Sequence, residues 1–159
     1  VMEIKEELSA LVKQDEAVKG SIALISSIPG VGVLTAVTVL AETNGFELIR
    51  NKRQLTSYAG LDVKEKLSGT SVKGKPRISK KGNRHLRKAM YMPALSVIRC
   101  EGRFKTLFVR LVSRHGIKMK AAVAVQRKLL EMIYTVYKTN TAFDKDYLKD
   151  ELIALSTQR

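Results

Sequence analysis

The sequence predicts a mainly α-helical domain, and three observations carry that expectation. Apolar residues recur every three to four positions along most of the chain. Aromatic residues make up only 6% and tryptophan is absent, so the apolar content is Leu, Ile, Val, Ala and Met, which suits helix packing better than a sandwich of strands. The periodic stretches are separated by glycine-bearing breaks. With 159 residues, 45% of them hydrophobic, the chain is long enough for one domain with a packed core.

The elements follow in order. Residues 1–27 read as a coiled-coil-like helix, with Ile4, Leu8, Leu11, Val12, Val18, Ile22, Leu24 and Ile25 on one face and Glu and Lys on the other. The pattern opens without a capping residue, which points to a segment of a longer protein whose upstream helix or coiled coil is not in this sequence. The run Ser26-Ser27-Ile28-Pro29-Gly30-Val31-Gly32 breaks it. A helix resumes over 31–43 and is stopped by Asn44-Gly45, where glycine suits a left-handed cap. A short helix over about 51–58 ends at Gly60. Residues 60–82 form a long basic loop bearing Gly60, Gly69, Gly74 and Gly82, with room for a short hairpin; loops of this length in a compact domain are usually functional. Helices return over 83–99, 102–114 and 118–139, the last with Ala121, Ala122, Val125, Leu129, Ile133 and Val136 as its apolar stripe. Residues 144–159 read as a C-terminal tail.

Charge supplies the first functional clue. Lys and Arg number 29 against 15 Asp and Glu, a net charge of +14. A compact domain this basic repels itself, and a polyanion is the natural partner. No apolar run reaches the roughly 18 residues of a membrane span, which argues against a membrane partner. Cys100 is the single cysteine, so an internal disulfide is excluded and zinc-finger spacing is absent. His85 and His115 stand far apart without a ligand-like cluster, so no metal site is expected here. A reducing cytoplasm, in a nucleoid-associated role, is the expected setting.

Two stretches carry chemistry. The first, 24–43, has the form of a helix-hairpin-helix around Pro29-Gly30-Val31-Gly32. Gly30 and Gly32 let backbone approach a phosphate, and the following helix N-terminus offers free amides to the anion. The bland alternative is a helix corner whose glycines serve geometry only. The second stretch runs from Asp62 to Lys88 and holds ten basic side chains against two acidic ones, eight of the chain's fourteen net charges. Lys73, Arg77, Ser79, Lys80, Lys81, Arg84 and Arg87 are its candidates for DNA contact, and Arg84 and Arg87, three apart, share a helix face. Ser68, Thr70, Ser71 and Ser79 place hydroxyls among these cations. A serine nucleophile must lose a proton and have its transition state stabilised; with no His–Asp pair near, Arg77, Lys80, Arg84 and Arg87 are the available helpers. Here too the alternative is a solvated loop whose serines shape turns.

Six stretches, in order, resemble the C-terminal domain of the IS-one-ten group of insertion-sequence transposases, which includes the Piv-type DNA invertases. They are Ile28-Pro29-Gly30-Val31-Gly32, Tyr58-Ala59-Gly60-Leu61, Ser68-Gly69, Arg77-Ile78-Ser79-Lys80-Lys81-Gly82, His85-Leu86-Arg87 and Ala89-Met90-Tyr91-Met92-Pro93-Ala94. The resemblance implies that 28–143 is a transposase C-terminal domain and that Ser68 is the serine that attacks DNA and forms a phosphoserine link, with Ser79 the rival. It implies a separate N-terminal RuvC-like domain with four acidic residues holding magnesium, so that this segment binds nucleic acid without recombining it alone and needs no cofactor of its own. It further implies DNA as partner, a guide RNA in some members, and a homo-oligomer, dimer or tetramer, for strand exchange. The alternative is a helix-hairpin-helix module that grips DNA or RNA without catalysis, or an oligomerisation domain built on the first helix.

Overall fold

A computed structural model describes residues 16–64, 67–68, 72–73, 77–100 and 102–144, with 67–68 and 72–73 described by their backbone alone. The protein is mainly helical. Helix α1 spans Glu16–Ser26 and buries Ile22 and Ile25; the part of the expected first helix before Glu16 lies outside the described residues, as does the tail beyond Asp144. Helix α2 spans Val33–Thr43. Between them the Val31 amide donates to the Ile28 carbonyl at 3.0 Å, and Ile28 and Val31 turn inward, 0% and 5% exposed. Pro29 and Gly30, with φ of 83° at Gly30, occupy the central positions of this turn in the type II manner. A β-carbon on Gly30 would stand 2.9 Å from the Val97 amide nitrogen, so this glycine is required by the approach of a later helix.

Asn44, Gly45 and Phe46 all have left-handed backbone after α2. For phenylalanine that conformation costs about 1 kcal/mol. Full burial of the Phe46 ring, edge-on to Tyr134 with centroids 5.4 Å apart, offsets it. Helix α3, Lys52–Tyr58, is capped by Asn51, whose side chain accepts from the Gln54 amide at 2.8 Å, while Gln54 Oε1 accepts from the Arg50 amide at 2.9 Å.

Within the stretch expected as a loop with a short hairpin, the described residues form two short antiparallel strand pairs of a β-ribbon. Strands β1 (Val63–Lys64) and β4 (Arg77–Ile78) pair antiparallel at its root. Strands β2 (Leu67–Ser68) and β3 (Val72–Lys73) pair farther out, with Ser68 opposite Val72. Two residues separate β1 from β2 and three separate β3 from β4, so the returning arm carries one extra residue.

The single helix expected over 83–99 is two. Helix α4 spans Arg84–Ala89 and α5 spans Tyr91–Arg99. Pro93 has no amide to give the Ala89 carbonyl, so the ladder stops at Met90 and restarts with proline in the first turn, where it is tolerated. Helices α6 (Arg103–His115) and α7 (Lys118–Thr139) match their periodicity to within a residue. Helix α7, about 33 Å long at 1.5 Å per residue, is the axis of the fold: α1, α3, α5 and α6 all pack on it. Its buried face presents Ala121, Ala122, Val125, Leu129, Leu130, Ile133 and Val136. Buried polar groups on that face are satisfied: Gln126 Nε2 donates to the Arg87 carbonyl and the Tyr134 hydroxyl to the Ile49 carbonyl at 3.1 Å. Among the described residues no helix is long and apolar enough to cross a membrane.

The two turn glycines are expected to differ sharply on substitution. Gly30→Ala meets both a positive φ and the Val97 backbone and is expected to cost about 2–3 kcal/mol in urea unfolding. Gly32→Ala, with φ of −90° and nothing within 4 Å of the new β-carbon, is expected to cost less than about 1 kcal/mol. Equal losses at both positions would contradict this account of the turn.

Candidate nucleic-acid interface and nucleophile

The ribbon is held at its root by two chain segments that dock backbone to backbone. One is the end of α3 with Ala59-Gly60-Leu61-Asp62; the other is Ser79-Lys80-Lys81-Gly82-Asn83. The Ser79 amide donates to the Asp62 carbonyl at 2.8 Å, Lys80 to Gly60 at 3.1 Å and Asn83 to Tyr58 at 2.7 Å. Gly82 makes the approach sterically feasible, since a β-carbon there would fall 2.3 Å from the Tyr58 carbonyl oxygen. The Arg87 guanidinium reaches back from α4 and donates to the Ala59 carbonyl at 2.8 Å.

Side chains tighten the same junction. Ser79 Oγ donates to Asp62 Oδ1 and accepts from the Lys81 amide at 3.3 Å. Lys80, between them, has φ of 53°, a left-handed conformation that these bonds hold in place. Asn83 does two jobs: its Oδ1 accepts from the Leu86 amide at 2.8 Å, capping α4, and its Nδ2 donates to Glu42 Oε2 at 2.6 Å. The Tyr58 hydroxyl donates to the Glu42 carbonyl at 2.9 Å, so α2 is drawn into the junction as well.

This framework leaves cations outside. Arg77, Lys80, Lys81, Arg84, His85 and Lys88 are exposed, and Arg87 is half-buried because its guanidinium is engaged with Ala59. Arg84 and Arg87 therefore differ in environment despite their shared helix. Lys64 and Arg77 are direct partners in the β1–β4 register, both exposed. Facing like charges in a ladder repel each other, and an anion between them would remove the repulsion.

Of the hydroxyls considered from sequence, Ser79 is half-buried and its proton points at a carboxylate. Ser68 is placed on β2, on the outer half of the ribbon, and Lys73 on β3 opposite Leu67; Thr70 and Ser71 lie outside the described residues. Gly30 and Gly32 are both exposed; Gly32 starts α2, whose first turn has no side-chain cap, whereas a β-carbon on Gly30 would meet Ser96 and Val97. Sequence reasoning missed Asp62, Asn83 and Glu42. Asparagine just before a helix is a recognisable capping signal for Asn83. No local pattern marks Asp62 as the partner of a serine seventeen residues later.

Residues 22–109 match the family model described as Transposase IS116/IS110/IS902 family. The chain is 34% identical over 126 residues to a pilin gene-inverting protein of Moraxella bovis, which covers 77% of this chain and 38% of that protein. It is 32% identical over 138 residues to the transposase for insertion sequence element IS1111A of Coxiella burnetii, covering 83% of this chain and 36% of that protein. A protein of insertion element IS110 from Streptomyces coelicolor is 28% identical over 121 residues, covering 76% of this chain and 30% of that protein. The chain thus spans about a third of the length of the curated relatives it matches.

The junction at the ribbon root has a direct consequence. Ser79→Ala leaves the Asp62 carboxylate and the Lys81 amide without their partner and is expected to cost about 1–2 kcal/mol. Amide hydrogen exchange should quicken at Ser79, Lys80 and Lys81 while the amides of α7 keep their protection. Unchanged exchange at those three amides would show that Ser79 does not hold the root.

Proposed function

Because the chain belongs to the transposase IS116/IS110/IS902 family, we propose that it is the DNA-handling, serine-bearing part of a DNA transposase or site-specific recombinase. The observation that carries this reading is the ribbon itself. Ser68 lies on an arm whose root sets Lys64 against Arg77, with exposed Lys80, Lys81 and Arg84 beside it. A phosphodiester is the anion that meets both features: its non-bridging oxygens accept from Arg and Lys, and its phosphorus is the electrophile a serine needs.

In this mechanism Ser68 Oγ gives up its proton and bonds to phosphorus, the bridging oxygen leaves as a protonated strand end, and a phosphoserine link remains. One ester replaces another, so attack by a different strand end reverses the step without an external energy source. The cations at the ribbon root offset the extra negative charge on the non-bridging oxygens in the transition state. Gly32 and the free amides of the first turn of α2 add a contact to the backbone that does not depend on base sequence. Ser79 serves as a strut for this machinery, which favours Ser68 over its rival.

Complete strand exchange belongs to the full-length protein. We assign magnesium, and the four acidic residues that would hold it, to the RuvC-like domain that family resemblance implies. Among the described residues no three His, Cys, Asp or Glu side chains gather. A homo-oligomer brings two such serines to paired sites, and a guide RNA is a further partner in keeping with the family.

Ser68→Ala in the full-length protein is expected to lower recombination between donor and target plasmids by at least about a thousandfold. Duplex affinity at low salt should change less than about twofold, because one neutral hydroxyl contributes little to backbone binding. Ser79→Ala should keep recombining. Exchange that survives Ser68→Ala would remove the nucleophile and leave a DNA-gripping module; in that case Gly32→Leu would still weaken binding.

A further inference from the structure

The net charge of this protein sits in two places. The segment Asp62–Lys88 carries eight of the fourteen net charges, and Arg103–Lys120 carries the other six, with six Lys and Arg and no Asp or Glu at all. Everywhere else, thirteen basic and thirteen acidic residues cancel. The second segment is α6 with the first turn of α7, and it plays no part in the ribbon root, which is built from α3, α4 and the turns beside them.

Helix α6 has a clear division of faces. Phe104 is buried, and Leu107, Phe108 and Leu111 are half-buried where the helix meets α5 and α7. Arg103, Arg110 and Arg114 are exposed, and at 100° per residue they fall within about 40° of one another along one edge of the outer face. The stripe is about 16 Å long at 1.5 Å per residue. That is about the advance of five phosphates along one strand. His115, Lys118 and Lys120 are exposed at the following corner and extend the cationic surface. Among the described residues no carboxylate is ion-paired with Arg103, Arg110, Arg114, Lys118 or Lys120. Elsewhere on the surface, by contrast, Arg127 and Lys128 both pair with Glu131. Arginines with no ion-paired carboxylate among the described residues stay open to an external polyanion, and guanidiniums spaced along a helix edge reach several phosphates of one backbone.

We infer that α6 and the α6–α7 corner form a second nucleic-acid surface, a phosphate-backbone grip separate from the ribbon, with Arg103, Arg110 and Arg114 as its contacts. The chemistry it recognises is a phosphodiester backbone, which duplex DNA and structured RNA share. Base edges are not involved, so binding here is insensitive to sequence and steeply salt-dependent.

The test measures binding of the chain, by fluorescence anisotropy across a salt series, to a 25-base-pair DNA duplex and to an RNA hairpin of equal stem length. R110E/R114E is compared with K80E/K81E on the ribbon side and with K19E/K138E, which makes the same charge change away from both surfaces. R110E/R114E is expected to weaken binding at least tenfold and to lower the salt slope by about 2, one unit for each phosphate that is no longer neutralised. K19E/K138E should weaken it no more than about threefold, through the general field alone. R110Q/R114Q should show a smaller loss in the same direction, and the α-helical circular dichroism and melting midpoint of each variant should match the parent. Loss on DNA alone, on RNA alone or on both supports the inference and names its source. An R110E/R114E loss no larger than that of K19E/K138E on both probes overturns it. Loss with K80E/K81E alone would overturn this surface while leaving the ribbon reading intact, and loss with R110E/R114E alone would do the reverse.

Discussion

The docking of Gly60–Asp62 against Ser79–Asn83 is the constraint on which the rest of the site depends. A two-stranded ribbon is marginal in water without support, and this one has only short ladders of its own. Backbone bonds from Ser79, Lys80 and Asn83, the close seat of Gly82 under the Tyr58 carbonyl and the Arg87 brace fix both ends of the ribbon to the helical body. The same junction sets where α4 begins, through the Asn83 cap, and ties it to α2 through Glu42.

Cationic side chains are kept off that anchoring work almost entirely. Main-chain groups, Asp62, Ser79 and Asn83 make the junction, and among the described basic residues only Arg87 contributes its head group. Arg77, Lys80, Lys81 and Arg84 stay in water. The body of the fold is a conventional apolar core centred on α7, in which burial of Leu129, Leu130, Ile133 and Phe46 supplies the stability that the repelling surface does not. Charge and core are thus physically separate, which lets the surface be tuned to a polyanion without loss of packing.

The Pro29-Gly30-Val31-Gly32 turn shows how one short motif divides its labour. Ile28 and Val31 seal the core, and Gly30 allows α5 to come close. Both glycines are exposed, but only Gly32 has room for a β-carbon. The two glycines look alike in a sequence pattern. The positive φ of Gly30 and the nearness of Val97 set them apart.

Much of this was written locally. The helix class, α6 and α7, the α2 stop at Asn44-Gly45 and the basic character of 62–88 follow from periodicity, caps and composition, because those signals act over three or four residues. The split between α4 and α5 was also latent in Pro93, whose missing amide acts four residues back. The pairing of Asp62 with Ser79, the spending of Arg87 on a carbonyl, the tertiary job of Gly30 and the placement of Lys64 opposite Arg77 were decided by the tertiary structure alone. Each joins residues from distant stretches of chain, and a contact of that kind depends on how helices pack and how strands register, neither of which leaves a trace in the spacing of neighbouring residues.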